Sequence, residues 1–258
     1  MEARQRVSSS AFGKVGMEFL RPISSSLRAI EIEAAEKIES AMQYADDAER
    51  HFLELCKKDF APAQFQEINR TLAFARRLKS RDPNHPSMRA YFSHPVRVAT
   101  LALRLMRHSL LETVMMCLTH NVFEVSGLQE QDLLKEGVNK RVADGIRLLT
   151  IDRSQQYDPE YLRVFSNNIE AFGNDLVLVR CVDRLDNLFG LQVVERSEAL
   201  DKYLYLSEQF VVPLAAGLSA EFGAYLGEVI EYARVTGCDQ DLRGRYQTFL
   251  ARSAGATA

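Results

Sequence analysis

Apolar residues recur at helical spacing along most of the chain, and few turn-forming residues interrupt them. The 258 residues include only 13 glycines and 7 prolines, whereas an all-β fold needs a turn about every 8–12 residues. No run of six residues alternates convincingly between apolar and polar side chains, which is the pattern of a half-buried strand. The sequence therefore predicts an all-α fold.

The longest unbroken helical pattern covers residues 27–58. Its apolar positions step alternately by four and three residues, and charged residues surround them. Small side chains in such a seam allow another helix to approach closely. The pattern fits a helix packed on its own domain, and it also fits a homodimer contact through residues 34–55. The seam residues are Ala34, Ile38, Ala41, Ala45, Ala48, Phe52 and Leu55.

Serine, proline and asparagine residues mark where helices begin and end, and their positions suggest how the chain is organised. Residues 1–26 have weak periodicity and are predicted to be a flexible arm, and residues 27–60 a helical extension. Residues 61–238 are predicted to form the main helical domain, and residues 239–258 a C-terminal helix and tail. Within the main domain, helices are predicted near residues 64–79, 94–108, 111–123, 139–150, 158–172, 176–190 and 200–235.

The net charge, the apolar stretches and the cysteine spacing indicate which compartment and which classes of partner to expect. The chain has 32 basic and 35 acidic residues, a net charge of −3, so no nucleic-acid partner is expected. No stretch approaches the roughly 18 apolar residues of a membrane span, and no signal peptide is recognisable at the start. The four cysteines form no C-x-x-C pair and are typical of buried free thiols. Together these features predict a cytoplasmic protein.

Three residues on separate predicted helices are candidates for one metal site. His94 is predicted to open a helix, with Ser93 as its cap and Pro95 in its first turn. His120 ends an apolar helix, and Asp183 follows an apolar run. Two histidines and a carboxylate can bind one divalent ion. The same spacing also fits core histidines beside an ion-paired aspartate.

Four local sequence words sharpen this prediction. They are His-Pro-Val-x-Val-Ala at 94–99, His-Asn-Val-Phe-Glu at 120–124, Val-Asp-Arg-Leu-Asp-Asn-Leu at 182–188 and Val-Pro-Leu-Ala at 212–215. In this order they resemble the hydrolase domain of the RelA/SpoT family, within the HD phosphohydrolase superfamily. The resemblance covers roughly residues 65–230. It implies an HD-type helical bundle preceded by the helical extension.

The resemblance also implies roles for individual residues. The family removes pyrophosphate from the 3′ side of guanosine tetra- and pentaphosphate with a Mn²⁺-like ion. By position, the ligands of Mn²⁺ or another divalent ion would be His94, His120, Asn121 and Asp183. Arg180 and Asn187 occupy nucleotide-binding positions, and Glu124 occupies a catalytic one. The Gly-containing segment with which the family grips guanine has no clean match.

Two departures from the family pattern affect the expected activity. The family word is His-Asp-x-x-Glu-Asp, and here Asn121 and Val125 replace its two aspartates. An amide is a neutral and weaker ligand for a hard ion, although Asp186 could restore part of the charge. Valine cannot orient water or accept a proton, and general-base help contributes about 10²–10⁴ in rate. Glu124 would have to act alone.

Arginines before and after His94 suggest a phosphate-binding face. Arg77 and Arg97 are the nucleotide-binding candidates among them, because the guanidinium fork suits phosphate. A solvated helix face explains the same cluster. The full set is Arg76, Arg77, Lys79, Arg81, Arg89 and Arg97.

Three functions follow from these observations. The first is a domain with weakened or lost hydrolysis, which acts by binding a phosphorylated guanine nucleotide or by regulating a partner. The second is a working metal-dependent phosphohydrolase on guanosine tetra- or pentaphosphate or a related nucleotide. The third is a helical interaction module with a vestigial pocket and no metal.

Overall fold

The computed structural model describes residues 19–23, 26–43, 45–78 and 88–255. These residues form α-helices and one 3₁₀ helix with no strand, which confirms the predicted all-α fold. The helices are α1 (Leu27–Gln43), α2 (Ala45–Asp59), α3 (Pro62–Arg77), α4 (Met88–Leu105), α5 (Leu111–Thr119), α6 (Val122–Ser126), α7 (Glu130–Lys135), α8 (Lys140–Leu149), α9 (Pro159–Phe172), α10 (Asn174–Phe189), the 3₁₀ helix Gly190–Val193, α11 (Glu198–Leu218), α12 (Ala220–Thr236) and α13 (Gln240–Gly255).

Several helices begin where a polar side chain caps the free backbone N–H groups. The Asn139 side chain accepts a hydrogen bond from the backbone of Val142 at 2.9 Å, at the start of α8. Asp158 accepts one from the backbone of Glu160 at 2.8 Å, ahead of Pro159 in the first turn of α9. These local signals explain why the predicted starts of α8 and α9 agree with the structure to within one residue.

Helix α10 lies at the centre of the fold. It packs against α1, α4, α5, α9, α11 and α12, and nearly all of its residues are buried, including Asp183 and Asp186. The segment Val177–Val182, which a buried strand could also explain, is helical. Burial on nearly all sides fits a helix at the middle of a core. No helix in the described ranges is long and apolar enough to cross a membrane.

Helix α4 begins earlier than the sequence predicts. It runs from Met88, so His94 and Pro95 lie inside it and Ser93 is not its cap. Pro95 lacks an N–H and therefore removes one hydrogen bond of the helix. The flanking residues are deeply buried, Phe92 at 5% exposure and Ser93 at 1%. Burial of this turn therefore extends the helix beyond the local start signal.

The predicted helix over residues 27–58 is described as α1 and α2, on either side of residue 44, which lies outside the described residues. Ala34, Ile38 and Phe52 of the predicted seam are buried in the core of their own chain. Helix α1 packs on α4 and α10, and α2 packs on α4. Packing within the domain thus accounts for these seam positions, and the homodimer stays a prediction.

Part of the predicted arm and most of the predicted C-terminal region lie within the described residues. Residues 1–18 of the predicted arm lie outside the described residues, but Leu20 forms an antiparallel bridge with Met106 and is 5% exposed. The predicted helix over 200–235 is two helices, because Ser219 ends α11 and caps α12 through the backbone of Phe222. The predicted C-terminal helix is present as α13.

The cysteines are free thiols, as the sequence predicts. Cys56, Cys117 and Cys181 are buried, and Cys238 is half-buried. Burial raises the pKa of the Cys56 thiol to about 12. A thiol held in its neutral form is a poor nucleophile, so Cys56 behaves as a small apolar core residue.

Candidate metal centre

His94, His120 and Asp183 come together in space, as the sequence predicts for a metal site. The two histidine Nε2 atoms lie 3.1 Å apart. The Oδ1 atom of Asp183 lies 3.4 Å from His94 Nε2 and 3.3 Å from His120 Nε2. The three side chains come from α4, the end of α5 and α10, and all are buried. Among the described residues these three form a group that could hold a metal ion.

The other ring nitrogens explain why a cation fits between the two histidines. Nδ1 of His120 lies 2.8 Å from the carbonyl oxygen of Cys117, and Nδ1 of His94 lies 2.7 Å from Asp186 Oδ2. Both oxygens can only accept, so each Nδ1 carries the proton and donates it. A neutral imidazole in that tautomer has its lone pair on Nε2. In that neutral form the two Nε2 lone pairs lie 3.1 Å apart, close enough for one cation to be bound by both.

The spacing of the three donor atoms suits a small divalent ion. A triangle with sides of 3.1, 3.3 and 3.4 Å has a circumscribed radius of about 1.9 Å, slightly less than the usual ligand distance of about 2.0–2.2 Å. All three atoms could therefore bind one ion at ordinary ligand distances. Two imidazoles and a carboxylate suit Zn²⁺, Fe²⁺ or Mn²⁺. The residues present fit the metal that the sequence predicts.

Asp183 is held in place by its neighbours on α10. Arg180 donates to Asp183 Oδ2 at 3.0 Å, and the Asn187 amide donates to Oδ1 at 2.8 Å. Burial alone would raise the pKa of Asp183, but the adjacent His120 and His94 side chains and the charge of Arg180 hold that pKa well below its usual value. Asp183 is therefore an ionised ligand. Arg180 and Asn187, the predicted nucleotide-binding residues, lie directly beside it.

Asp186 does not join the three donors, although the sequence suggested that it could restore charge to the metal site. Its Oδ2 atom accepts from His94 Nδ1 and contacts Lys37 Nζ, and its Oδ1 atom accepts from Arg97 Nε at 2.8 Å. Burial would raise the pKa of Asp186, and the charges of Lys37 and Arg97 lower it to far below the usual value. Asp186 is therefore a carboxylate that lies behind His94, on the side away from the donor triangle.

The donor triangle opens into a cavity of about 520 Å³, a volume in the range of small-molecule sites. One part of the wall is polar and basic, and another part is aromatic and aliphatic. Helices α1, α9, α10, α11 and α13 all contribute to it. The basic side chains in the wall are Lys37, Arg153, Arg180 and Arg184, and the aromatic ones are Tyr157, Phe165, Tyr203, Phe210 and Tyr246.

Glu124 faces the same cavity, as the resemblance implies. Its Oε1 atom accepts from the backbone N–H of Ile151 at 3.2 Å, and its Oε2 atom lies 3.2 Å from Arg153. Burial raises the pKa of Glu124, while Ile151 and Arg153 oppose that rise. Both carboxylate oxygens are thus engaged by protein groups, which restrains the carboxylate as a base.

Asn121 and Val125 occupy different environments. Asn121 lines the cavity at the start of α6, and its side chain makes no capping hydrogen bond. Val125 is 1% exposed and is not among the described residues that line the cavity. An amide is therefore available at the cavity wall, whereas position 125 belongs to the core.

Arg77 and Arg97 lie away from the cavity. Arg77 is exposed and pairs with Glu136 at 2.8 Å. Arg97 is buried between Asp186 and Glu33. Neither of them lines the cavity in the part of the chain that the structure describes. Their nucleotide-binding role stays a prediction that these positions do not support.

Sequence reasoning did not identify several side chains of the cavity. Lys37 comes from the helical extension, and Tyr246 comes from the C-terminal helix. Arg184 is one helical turn after Arg180, and its guanidinium lies 4.1 Å from the ring centre of Tyr203. The four-residue spacing of the two arginines on α10 was a usable signal. Lys37 and Tyr246 carried no local signal, because only long-range packing brings them to the cavity.

Among known proteins, the chain is similar in structure to a solved protein of low sequence identity. No model of a known protein family matches the chain, and no curated protein matches it. Among solved structures, a chain described as "A metazoan ortholog of SpoT hydrolyzes ppGpp and plays a role in starvation responses" superposes with a TM-score of 0.46. The two sequences are 22% identical over 69% of this chain and 98% of the other. The activity in that description is a property of the metazoan protein.

Proposed function

We propose that this protein is a RelA/SpoT hydrolase-like HD domain that binds a divalent metal ion and a phosphorylated guanine nucleotide, with weakened or lost hydrolysis. The observation that carries the proposal is the meeting of His94, His120 and Asp183 at one side of the cavity. The sequence words that contain these residues resemble the same family. The geometry and the sequence words thus both support these three residues as the metal ligands.

Different side chains would bind the metal ion and the phosphate groups. Bound at the three donors, a divalent ion would supply a Lewis acid that polarises phosphate. Arg180 neutralises one oxygen of Asp183 at 3.0 Å and borders the cavity. Arg184 and Lys37 add positive charge to the same wall. Cationic side chains next to a carboxylate-bound metal suit a ligand that carries several phosphates.

We expect weakened hydrolysis because of the residues that would orient and deprotonate the attacking water. Asn121 offers a neutral amide where the family pattern has a metal-binding aspartate, and position 125 has no carboxylate. Glu124 alone faces the cavity, and Ile151 and Arg153 already bind its oxygens. The loss of general-base help corresponds to a rate lower by about 10²–10⁴.

Binding and turnover are tested separately. We expect calorimetry with Mn²⁺ present to detect guanosine tetraphosphate binding by the wild-type protein. Asp183→Asn should abolish Mn²⁺ binding, whereas Asp201→Asn, at an exposed surface pair, should leave it unchanged. Pyrophosphate release by the wild type should be slow or undetectable, and Asn121→Asp should increase it because it returns a charged oxygen ligand.

Other results would contradict the proposal in different ways. Rapid pyrophosphate release by the wild type, lost in Glu124→Gln, would favour the working phosphohydrolase. Binding of neither Mn²⁺ nor guanosine tetraphosphate would favour the interaction module with a vestigial pocket. Mn²⁺ binding without nucleotide binding would retain the metal centre and exclude this ligand class.

A further inference from the structure

Lys37 connects the helical extension to the metal centre. It lies on α1, 149 positions before Asp186 in the sequence, and its Nζ atom contacts Asp186 Oδ2 directly. The Lys37 side chain is 13% exposed and that of Asp186 is fully buried. Because an unpaired buried charge is strongly unfavourable, this pair is held together firmly.

The same carboxylate oxygen is the hydrogen-bond acceptor of a metal ligand. Asp186 Oδ2 accepts from Nδ1 of His94 at 2.7 Å, while Asp186 Oδ1 accepts from Arg97 at 2.8 Å. Two cationic groups from α1 and α4 therefore clamp the carboxylate from both sides. These two contacts fix the position of Asp186 Oδ2. Because this oxygen accepts from Nδ1 of His94, it also orients the imidazole ring so that Nε2 faces Asp183.

We propose that Lys37 is a positioning residue of the metal centre, which acts through Asp186 to orient His94. The inference rests on the metal site under Proposed function, and it makes the helical extension part of that site. Carboxylates behind a metal-bound histidine fix its tautomer and orientation, and their loss lowers metal affinity by about 10- to 100-fold. Lys37 holds that carboxylate through Asp186 Oδ2, and its Nζ also lies 3.5 Å from His94 Nδ1.

The first experiment compares Mn²⁺ affinity across single variants. Lys37→Met keeps the length of the side chain and removes its charge, so we expect Mn²⁺ binding weaker by about 10-fold or more. Lys37→Arg keeps the charge and should retain most of the affinity. Lys140→Met is the matched control, because Lys140 forms two carboxylate pairs at an exposed site on α8 and should bind Mn²⁺ as the wild type does.

A double-mutant cycle distinguishes positioning from a general loss of stability. If Lys37 acts through Asp186, then Lys37→Met in the Asp186→Asn background should cause little further loss of Mn²⁺ affinity. Additive losses, or wild-type affinity in Lys37→Met, would overturn the proposal. Lys37→Gln replaces Lys37→Met in both measurements if the methionine variant does not fold.

The outcomes for the wild type and for Lys37→Met distinguish failure of the metal site from failure of the role proposed for Lys37. Absence of Mn²⁺ binding by the wild type would remove the metal centre and the inference together. Normal binding by the wild type and by Lys37→Met would remove only the inference. A lower unfolding temperature of the metal-free Lys37→Met protein with unchanged Mn²⁺ affinity would assign Lys37 a structural role and would also overturn the proposal.

Discussion

Val125 is packed inside the helical domain, although the family pattern has a catalytic acid at its position. Its side chain is 1% exposed, and it lies on the short helix α6 that also carries Glu124. A carboxylate in its place would lose its water and gain no described basic partner. We therefore expect Val125→Asp to lower the free energy of unfolding by about 3 kcal/mol or more.

Urea unfolding followed by circular dichroism measures this effect. Val125→Thr is the matched control, because it keeps the shape of the side chain and replaces one methyl group with an uncharged hydroxyl, so its loss of stability should be smaller. Equal stability of Val125→Asp and the wild type would mean that water reaches position 125. In that case the missing acid could be restored without cost, and Val125→Asp should then be combined with Asn121→Asp in the turnover assay.

At this scale the sequence predicted the candidate ligands but not the charged residues that lie behind them. His94, His120 and Asp183 were predicted because each lies in a recognisable local word. The arrangement of Lys37 and Arg97 around Asp186 was not predicted, since it joins residues 149 and 89 positions apart. Local spacing reports which residues share a helix face, and it cannot report which distant helix supplies the partner of a buried charge.

Among the elements, α11 and α12 show how a glycine permits close helix packing. A β-carbon at position 223 would lie 2.6 Å from the Ala216 side chain and 2.9 Å from the Ala216 backbone. The backbone cannot yield as a flexible side chain would, so the two helices must separate. Gly223→Ala should therefore destabilise the protein, despite the gain of about 1 kcal/mol in helix propensity.

Gly227 provides the control on the same helix. Nothing lies within 4 Å of a β-carbon built there, so Gly227→Ala should raise the thermal unfolding midpoint through propensity alone. The expected signs are thus opposite for two identical substitutions one turn apart. A Gly223→Ala protein as stable as Gly227→Ala would mean that α11 and α12 adjust their separation freely.

Element boundaries were predicted well where side chains cap a helix and less well where burial decides. Asn139 and Asp158 cap α8 and α9 in the structure. The start of α4 was wrong, because Ser-His-Pro resembles a helix start while burial of Phe92 and Ser93 extends the helix further back. Ser219, a cap inside a long apolar stretch, was missed because the helical pattern continues on both sides of it.

In the whole molecule, the donor triangle joins three helices that are far apart in the sequence. His94 lies on α4, His120 follows α5, and Asp183 lies on the central helix α10. The unfolded chain does not hold these residues together. An ion that binds only the folded arrangement must therefore stabilise it, in proportion to the logarithm of the ion concentration.

Mn²⁺ should consequently raise the thermal unfolding midpoint, and chelation should reverse the increase. At a free concentration of about 100 times Kd the stabilisation is about 2.7 kcal/mol, and each kcal/mol corresponds to about 2–4 °C for a chain of this size class. His120→Ala should remove the Mn²⁺-dependent increase, whatever its effect on the metal-free protein. His108→Ala, at an exposed histidine, should retain the Mn²⁺-dependent increase. An equal increase in His120→Ala and His108→Ala would locate Mn²⁺ binding outside the donor triangle.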